Sequence, residues 1–332
     1  MVNVTKHGIV LSKIDNDFEA EGVLNPAVLL ANGKIHLFYR AVANNNKSTI
    51  GYCRFSGPLE LEERYDKPVV IPEFNYESWG VEDPRIVKID NLYYLTYTGY
   101  NGNDAFGCLA VSKDGKHFEK LGPIVPQFRG NKFRSLLKTK LNNKYMQPDK
   151  GDHYIWDKNV IFFPSRINGK LCFLHRIRPG IQIVFIESVD RLTSDFWEEY
   201  LVDLAHHIVM DPKYAHELSY IGGGCPPIEC ESGWLLIYHG VRDTVNGYSY
   251  CACAALLDLH NPAIEIARLP YPLFEPDQEW EISGYVNYVC FPTGTVLLDD
   301  KLYIYYGAAD ERIACASVTL SSLVSELLQQ IK

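Results

Sequence analysis

A hairpin pattern recurs five times along the chain, with successive copies about 60 to 80 residues apart. Each copy is a turn signal followed by a run of β-branched, aromatic and aliphatic residues, which is typical of a β-strand. The segment before each copy also repeats and starts with a polar residue or a proline, so the unit is strand, tight turn, strand. The copies cover residues 33–40, 92–98, 169–176, 233–239 and 301–307.

Five similar hairpins predict an all-β fold, a five-bladed β-propeller, in which repeated strands are arranged radially. A β-sandwich is the structural alternative, but it gives no reason for five similar hairpins. The repeats leave no room for a second fold, so residues 1–332 are expected to form one domain. The blade hairpins are predicted near residues 25–40, 83–98, 159–176, 226–239 and 291–307.

Two segments lie outside the repeat. Residues 321–332 predict a short C-terminal helix, because Leu323, Leu327 and Leu328 form an apolar stripe. Residues 127–156 are charged and weakly periodic, and they separate the second hairpin from the third. An insertion of this length at a propeller rim is either a lid over the central site or a contact in a homo-oligomer.

Charge and composition exclude several classes of partner. The net charge of −9 argues against nucleic-acid binding, which needs clustered Lys and Arg. The sequence has no run of 18 apolar residues and no apolar leader, so we expect a cytoplasmic protein without a membrane partner, or a periplasmic one if a leader has been removed. The nine cysteines lie mostly inside strand patterns, and Cys251 and Cys253 are too few for a zinc site. We expect neither a metal nor an organic cofactor.

The repeat predicts which side chains share a pocket. In a propeller the innermost strands end around one axial funnel, so residues far apart in sequence meet there. Two of the predicted residues are carboxylates, and several others are cations or hydrogen-bonding groups. The strand entries are Asn25, Asp83, Lys158 or Asn159, and Glu229, and the strand exits are Arg40, Thr98, Arg176, His239 and Asp310.

Paired carboxylates in a polar, aromatic-rich funnel fit glycoside chemistry. One carboxylic acid protonates the leaving oxygen, and a second group or an incoming anion supplies or activates the nucleophile. Asp83 is the first candidate, although an Asp-Pro step is also a common turn initiator. Glu229 is the second, with an outward-facing strand residue as its alternative interpretation. His239 serves equally well as a structural histidine.

The motifs resemble those of glycoside hydrolase family 130 in order and over nearly the whole chain. They are GVEDPRI at 80–86, FFPSRINGK at 162–170, PPI at 226–228, WLLIYHGV at 234–241, FPTG at 291–294 and YYGAAD at 305–310. The resemblance implies a five-bladed propeller that acts on β-mannosides with inversion. Members are mostly phosphorylases, and some branches are β-1,2-mannosidases.

The resemblance also implies roles for individual residues. The catalytic acid of the family lies in the Asp-Pro-Arg motif and corresponds to Asp83, near Arg85. Sugar-binding positions correspond to Asn25, Arg40 and Asp310, and basic positions that hold phosphate in phosphorylases correspond to Lys158, Arg176 and His239. Glu281 is expected to assist in substrate binding.

One position departs from the phosphorylase pattern. Phosphorylases typically have a lysine after Pro-Pro-Ile, where this chain has Glu229. A carboxylate about 4 Å from a phosphate dianion costs on the order of 1 kcal/mol per unit charge even in water. A glutamate is well suited to take a proton from water instead.

We therefore predict an inverting β-mannosidase that hydrolyses β-1,2-linked mannosides, with Asp83 as acid and Glu229 as base. The alternatives are a β-mannoside phosphorylase that uses inorganic phosphate, a retaining glycosidase of the fructosidase type, and a non-catalytic glycan-binding propeller.

Overall fold

The computed structural model describes residues 1–137, 145 and 153–331. Within these ranges the chain consists of β-strands with few helices, which confirms the all-β prediction. Strands begin and end at Gly- and Asn-containing turns. Asn32 and Gly33, for example, both have positive φ values, 51° and 71°, as a two-residue type I′ hairpin turn requires.

The strands pair as five antiparallel meanders of four strands each. The first contains β2 (Gly22–Ala31), β3 (Lys34–Ala43), β4 (Lys47–Gly57) and β5 (Glu60–Arg64), and the second β6 (Gly80–Ile89), β7 (Leu92–Tyr100), β8 (Ala105–Ser112) and β9 (Glu119–Pro123). The third contains β10 (Asp157–Phe162), β11 (Leu171–Ile177), β12 (Ile181–Ile186) and β13 (Ile208–Met210).

The fourth meander has a first strand in two pieces, because β14 (Tyr220–Gly223) and β15 (Ile228–Cys230) both pair with β16. It continues with β16 (Gly233–Thr244), β17 (Gly247–Leu257) and β18 (Glu265–Arg268). The fifth contains β19 (Cys290–Leu298), β20 (Lys301–Ala308), β21 (Arg312–Thr319) and the N-terminal β1 (Thr5–Leu11). The repeated segments of the sequence coincide with β3, β7, β11, β16 and β20.

The helices are short: α1 (Gly130–Leu136), α2 (Ser194–Val202), α3 (Glu279–Ile282) and α4 (Leu320–Leu328). α4 is the predicted C-terminal helix, and of its stripe Leu323 and Leu327 are buried whereas Leu328 is 38% exposed. α1 lies inside the predicted insertion 127–156, of which residues 138–144 and 146–152 fall outside the described residues. None of the helices in the described ranges is long and apolar enough to cross a membrane.

The first strand of each meander is interrupted at the same place. The register with the second strand shifts between Leu24 and Ala27 in β2, and equivalent shifts occur in β6, β10 and β19. In the fourth meander the gap between β14 and β15 takes this place. Contacts join β2 to β6, β6 to β10, β10 to β14, β16 to β19 and β19 to β2, so the interruptions face a common centre.

Buried carboxylates attach the outer strand within four of the meanders. Glu281 is fully buried and accepts hydrogen bonds from Tyr306 Oη (2.6 Å) and Lys6 Nζ (2.6 Å). Three other buried carboxylates are paired with a cation in the same way, and two of them also accept a hydrogen bond from a tyrosine. They are Glu19 with Tyr39 and Arg64, Glu77 with Lys120, and Glu217 with Tyr238 and Arg268. Lys6 lies on β1 where the other cations lie on fourth strands, so β1 completes the fifth meander.

Candidate active site

Asp83 projects from the interruption in β6. Its φ is 49°, in the left-handed region that Asn and Asp adopt more readily than other non-glycine residues. Asn25 has the same φ at the equivalent position of β2, and its Nδ2 donates to Asp83 Oδ1 at 2.8 Å. The side chain of Asp83 is 12% exposed, so one face of the carboxylate remains open to a substrate.

Arg40 connects two acidic side chains. Its Nη2 lies 2.9 Å from Glu82 Oε1, and its Nη1 lies 3.6 Å from Asp83 Oδ1. Lys158 Nζ lies 3.9 Å from the other oxygen of Glu82. Glu82 is buried and was not singled out from the sequence, although it stands directly before the Asp-Pro step. It positions the two cations that flank Asp83.

Arg85 is buried behind Asp83. Its Nη1 donates to the Asp83 backbone oxygen at 2.6 Å and its Nε to the Gly224 backbone oxygen at 3.0 Å. The guanidinium lies over the Phe291 ring, with Cζ 5.5 Å from the centroid. Nη2 is buried without a hydrogen-bond partner in the described part of the chain.

Arg176 and His239 form a second group of donors. Arg176 Nη1 lies 3.4 Å from His239 Nε2, and since a guanidinium only donates, Nε2 must accept. The imidazole is therefore neutral and carries its proton on Nδ1. Burial and the charge of Arg176 keep the pKa of His239 well below its usual value, which agrees with this tautomer. Neither His239 Nδ1 nor Arg176 Nε has a partner among the described residues.

The pKa values of the two aspartates in the centre, Asp83 and Asp310, are shifted in opposite directions. Burial raises the pKa of Asp83, but Arg40, Lys158 and Arg85 outweigh it, so the pKa lies below its ordinary value. Burial raises the pKa of Asp310 to about 6, because Arg40 only partly offsets it and Asp83 opposes a second negative charge. Asp83 is thus a carboxylate in the free enzyme, whereas Asp310 takes up a proton close to neutral pH.

Most of the predicted site residues lie together. Contacts or strong electrostatic interactions connect one set of nine residues, and Asn159 has its side-chain oxygen buried without a partner in the described chain. Eight of the connected residues were predicted, and Glu82 is the ninth; the predicted ones are Asn25, Arg40, Asp83, Arg85, Lys158, Arg176, His239 and Asp310.

Two predicted residues lie elsewhere. Glu229 is exposed on β15 opposite Trp234, five positions along β16 from His239, or about 17 Å at the rise of a strand. Gly224, not Glu229, lies at the interruption of the fourth meander. Glu281 has its two carboxylate oxygens occupied by Tyr306 and Lys6, so it is a buried structural carboxylate.

One group of potential metal ligands occurs among the described residues, formed by His216, Glu217 and Cys253. Glu217 is already engaged by Arg268 and Tyr238, and burial holds the pKa of the Cys253 thiol well above its usual value. The group is therefore a poor ligand set for a metal ion.

Comparisons with known proteins agree with this geometry. The family profile described as beta-1,4-mannooligosaccharide phosphorylase matches residues 4–329. A beta-1,2-mannobiose phosphorylase of Thermoanaerobacter sp. (strain X514) is 38% identical over 93% of this chain and 94% of its own length. A 1,2-beta-oligomannan phosphorylase of the same organism is 34% identical over 95% of this chain and 96% of its own.

A solved structure has a similar fold. The beta-1,2-mannobiose phosphorylase from Listeria innocua, in complex with beta-1,2-mannobiose, superposes with a TM-score of 0.75 over 98% of this chain and 99% of that one, at 23% identity. The relatives with high coverage are phosphorylases, so the prediction of a hydrolase is wrong. The exposed position of Glu229 gives the physical reason, because a carboxylate there cannot activate a water beside Asp83.

Proposed function

From the membership of this chain in glycoside hydrolase family 130, we propose that the protein is a β-mannoside phosphorylase. It cleaves β-1,2-linked mannosides with inorganic phosphate and releases mannose 1-phosphate. The β-1,2 linkage is supported by the two Thermoanaerobacter relatives, which match nearly the whole chain.

One observation carries the proposal: three buried nitrogen donors in the centre have no partner in the described chain. They are Arg85 Nη2, Arg176 Nε and His239 Nδ1. A buried donor without an acceptor costs about 1–3 kcal/mol, so such atoms are retained where a ligand satisfies them. A phosphate dianion supplies several acceptor oxygens and two charges, and Arg side chains recognise it well. A neutral water molecule compensates none of the positive charge.

The reaction follows from where the groups stand. An oxygen of phosphate attacks the anomeric carbon of the terminal mannose, and the bond from that carbon to the glycosidic oxygen breaks. The bonding electrons pass to the leaving oxygen, which takes up a proton delivered by Asp83 and becomes a hydroxyl of the shortened sugar. Attack opposite the leaving group inverts the configuration, so a β-mannoside yields the α-phosphate.

Phosphate itself prepares the acid. In the free enzyme Arg40, Lys158 and Arg85 keep the pKa of Asp83 low, and an ionised carboxylate cannot donate a proton. A bound dianion opposes these positive charges and raises the pKa of Asp83 by the same Coulomb interaction. The acid therefore becomes competent when the nucleophile is in place.

Hydroxyl groups of the mannose unit have partners at the same interruptions. Asn25 Oδ1 and Asn159 Oδ1 are buried acceptors that lack a donor in the described residues, and a sugar hydroxyl supplies one. Arg40 and Asp310 add a donor and an acceptor. We infer further that the five meanders close into a five-bladed propeller forming a single domain, which the contacts between neighbouring meanders support.

Product analysis tests the proposed function. We expect mannose 1-phosphate from β-1,2-mannobiose only when inorganic phosphate is present, and expect Asp83→Asn to lower kcat by a factor of about 10² to 10⁴. Free mannose released at a rate independent of phosphate would refute phosphorolysis. A protein that binds the disaccharide without turnover under either condition would refute the enzymatic assignment.

A further inference from the structure

Two arginines share one aromatic ring at the edge of the reaction centre. Arg178 Cζ lies 3.8 Å from the centroid of the Tyr220 ring, and Arg176 Cζ lies 5.2 Å from the same centroid. Arg176 is buried, whereas Arg178 is exposed. The tyrosine ring therefore connects a cation of the proposed phosphate site with a cation that solvent can reach.

Neither guanidinium is neutralised by a residue of the described ranges. Of the acidic side chains in the described ranges, none forms an ion pair with Arg176 or Arg178. Burial first and then the charge of Arg178 lower the pKa of Arg176 to about 10. Two like charges this close repel one another, and an anion between them converts the repulsion into attraction.

Arg178 also faces a cavity of about 840 Å³. The cavity is lined by Arg178 and Tyr220 on the side of the reaction centre, and by Arg134 and His153 on another. Its one acidic residue among the described lining, Asp243, accepts a hydrogen bond from Ser219 at 2.7 Å. With two arginines against one aspartate in its described lining, the cavity attracts anions, and the Tyr220 ring connects Arg178 to Arg176.

We propose that Arg178 is a phosphate-positioning residue: it receives phosphate from the cavity and holds it together with Arg176 in the reaction centre. The proposal rests on the proposed function, since it assumes that phosphate is the nucleophile. Arg178 does not contact the acidic pair Glu82 and Asp83 in the described structure. We therefore expect it to affect the binding of phosphate and not that of the sugar.

Kinetics of Arg178→Gln and Arg178→Lys test this role against Arg166→Gln, an exposed arginine paired with Asp90 at 3.2 Å. We expect Arg178→Gln to raise the KM for phosphate about tenfold (about 1.4 kcal/mol) and to change the KM for β-1,2-mannobiose less than twofold. Arg178→Lys keeps the charge but not the planar fork, so its KM for phosphate should be intermediate. Arg166→Gln should resemble the parent enzyme.

Equal changes in both KM values, or no change in either, would overturn the proposal. Calorimetric titration with inorganic phosphate alone separates it from the proposed function. If the parent enzyme makes no mannose 1-phosphate, the proposed function fails, and weaker phosphate binding by Arg178→Gln would then support Arg178 only as a phosphate-binding residue. Unchanged phosphate binding by Arg178→Gln in that titration would reject the proposed role of Arg178. Thermal unfolding of each variant shows whether the fold is intact.

Discussion

Arg40 holds two neighbouring carboxylates at the centre of the molecule. Its contacts with Glu82 and Asp83 keep both groups oriented, and Lys158 adds a second cation on the far side of Glu82. Burial opposes the charge of Arg40, but Glu82, Asp83 and Asp310 outweigh it and raise its pKa. The cation and the carboxylates thus stabilise each other in their charged forms.

The charge of Arg40 offsets the burial of Asp310 only in part, so the stability of the fold should depend on pH. Its pKa rises from 3.8 to about 6 on folding, so the unfolded chain ionises first as the pH rises. Ionised Asp310 therefore destabilises the fold from about pH 4 upward, and fully so above pH 6. We expect Asp310→Asn to raise the free energy of unfolding by about 1–3 kcal/mol at pH 8 and by little at pH 4.

Urea denaturation at both pH values measures this difference. Asp299→Asn, at an exposed turn between β19 and β20, is the matched control and should change stability by less than about 0.5 kcal/mol at either pH. A gain in Asp310→Asn that is the same at pH 4 and pH 8 would show that ionisation is not its cause. Activity should fall in the same variant, because Asp310 is one of the groups proposed to bind the sugar.

Substitutions of Glu229 and of Arg176 should have very different effects on the kinetic constants. Glu229→Gln should leave kcat and both KM values within twofold, because its side chain is exposed and distant from Asp83. Arg176→Gln should raise the KM for phosphate about 10- to 100-fold, since a hydrogen bond to a charged group contributes about 1.5–3 kcal/mol. Steady-state kinetics with phosphate varied distinguishes the two. A large loss in Glu229→Gln would restore its catalytic role.

The positions of Asn25 and Asp83 follow a regular spacing to the hairpin turn, which Asn159 does not keep. Asn25 lies eight residues before Gly33, the second residue of its hairpin turn, whereas Glu229 lies only three before Ser232, the second residue of the turn that precedes β16. Applied to the fourth copy, the eight-residue spacing points to Gly224, which lies at the interruption. Asp83 was found because an Asp-Pro step marks the interruption, and Glu82 was missed because its neighbour was the stronger signal.

At the scale of elements, four of the five outer strands, β1, β5, β9 and β18, are attached through a buried carboxylate and its cation. Lys6 on β1 neutralises Glu281, which also accepts hydrogen bonds from the backbone nitrogens of Asp277 and Gln278. Unlike these local bonds, the ion pair joins segments 275 positions apart in sequence. It therefore stabilises the pairing of β1 with β21 and not the turn alone.

Lys6→Met should lower the free energy of unfolding by about 3–5 kcal/mol, because it leaves the Glu281 carboxylate buried without a countercharge. Lys47→Met, at an exposed lysine of β4, is the control and should have little effect. The double variant with Glu281→Gln should recover part of the loss, which chemical denaturation would measure as a coupling energy. Equal losses in Lys6→Met and Lys47→Met would contradict a specific role for the ion pair.

At the scale of the whole molecule, the strand content and the repeat were predictable because both depend on local patterns. The Asn-Gly turns at 32–33 and 168–169, each followed by a run rich in apolar and aromatic residues, identified β3 and β11 directly. The pairing of β1 with β21 was not predictable, since it joins the two ends of the sequence and leaves no local signal. The carboxylates Glu19, Glu77 and Glu217 were missed for the same reason: their partners are distant in sequence.

The interruptions in the first strands also restrict which side-chain types can stand at the centre of this enzyme. Asn25, Asp83 and Asn159 all have φ between 49° and 55°, a conformation in which longer or β-branched side chains are strained. These positions lie outside the regular ladder, so exchanging one for another short polar residue leaves the sheet hydrogen bonds in place. The scaffold thus admits short amides and carboxylates almost exclusively at these positions. New specificities can arise there by single substitutions, but only among groups that bind hydroxyls or transfer protons.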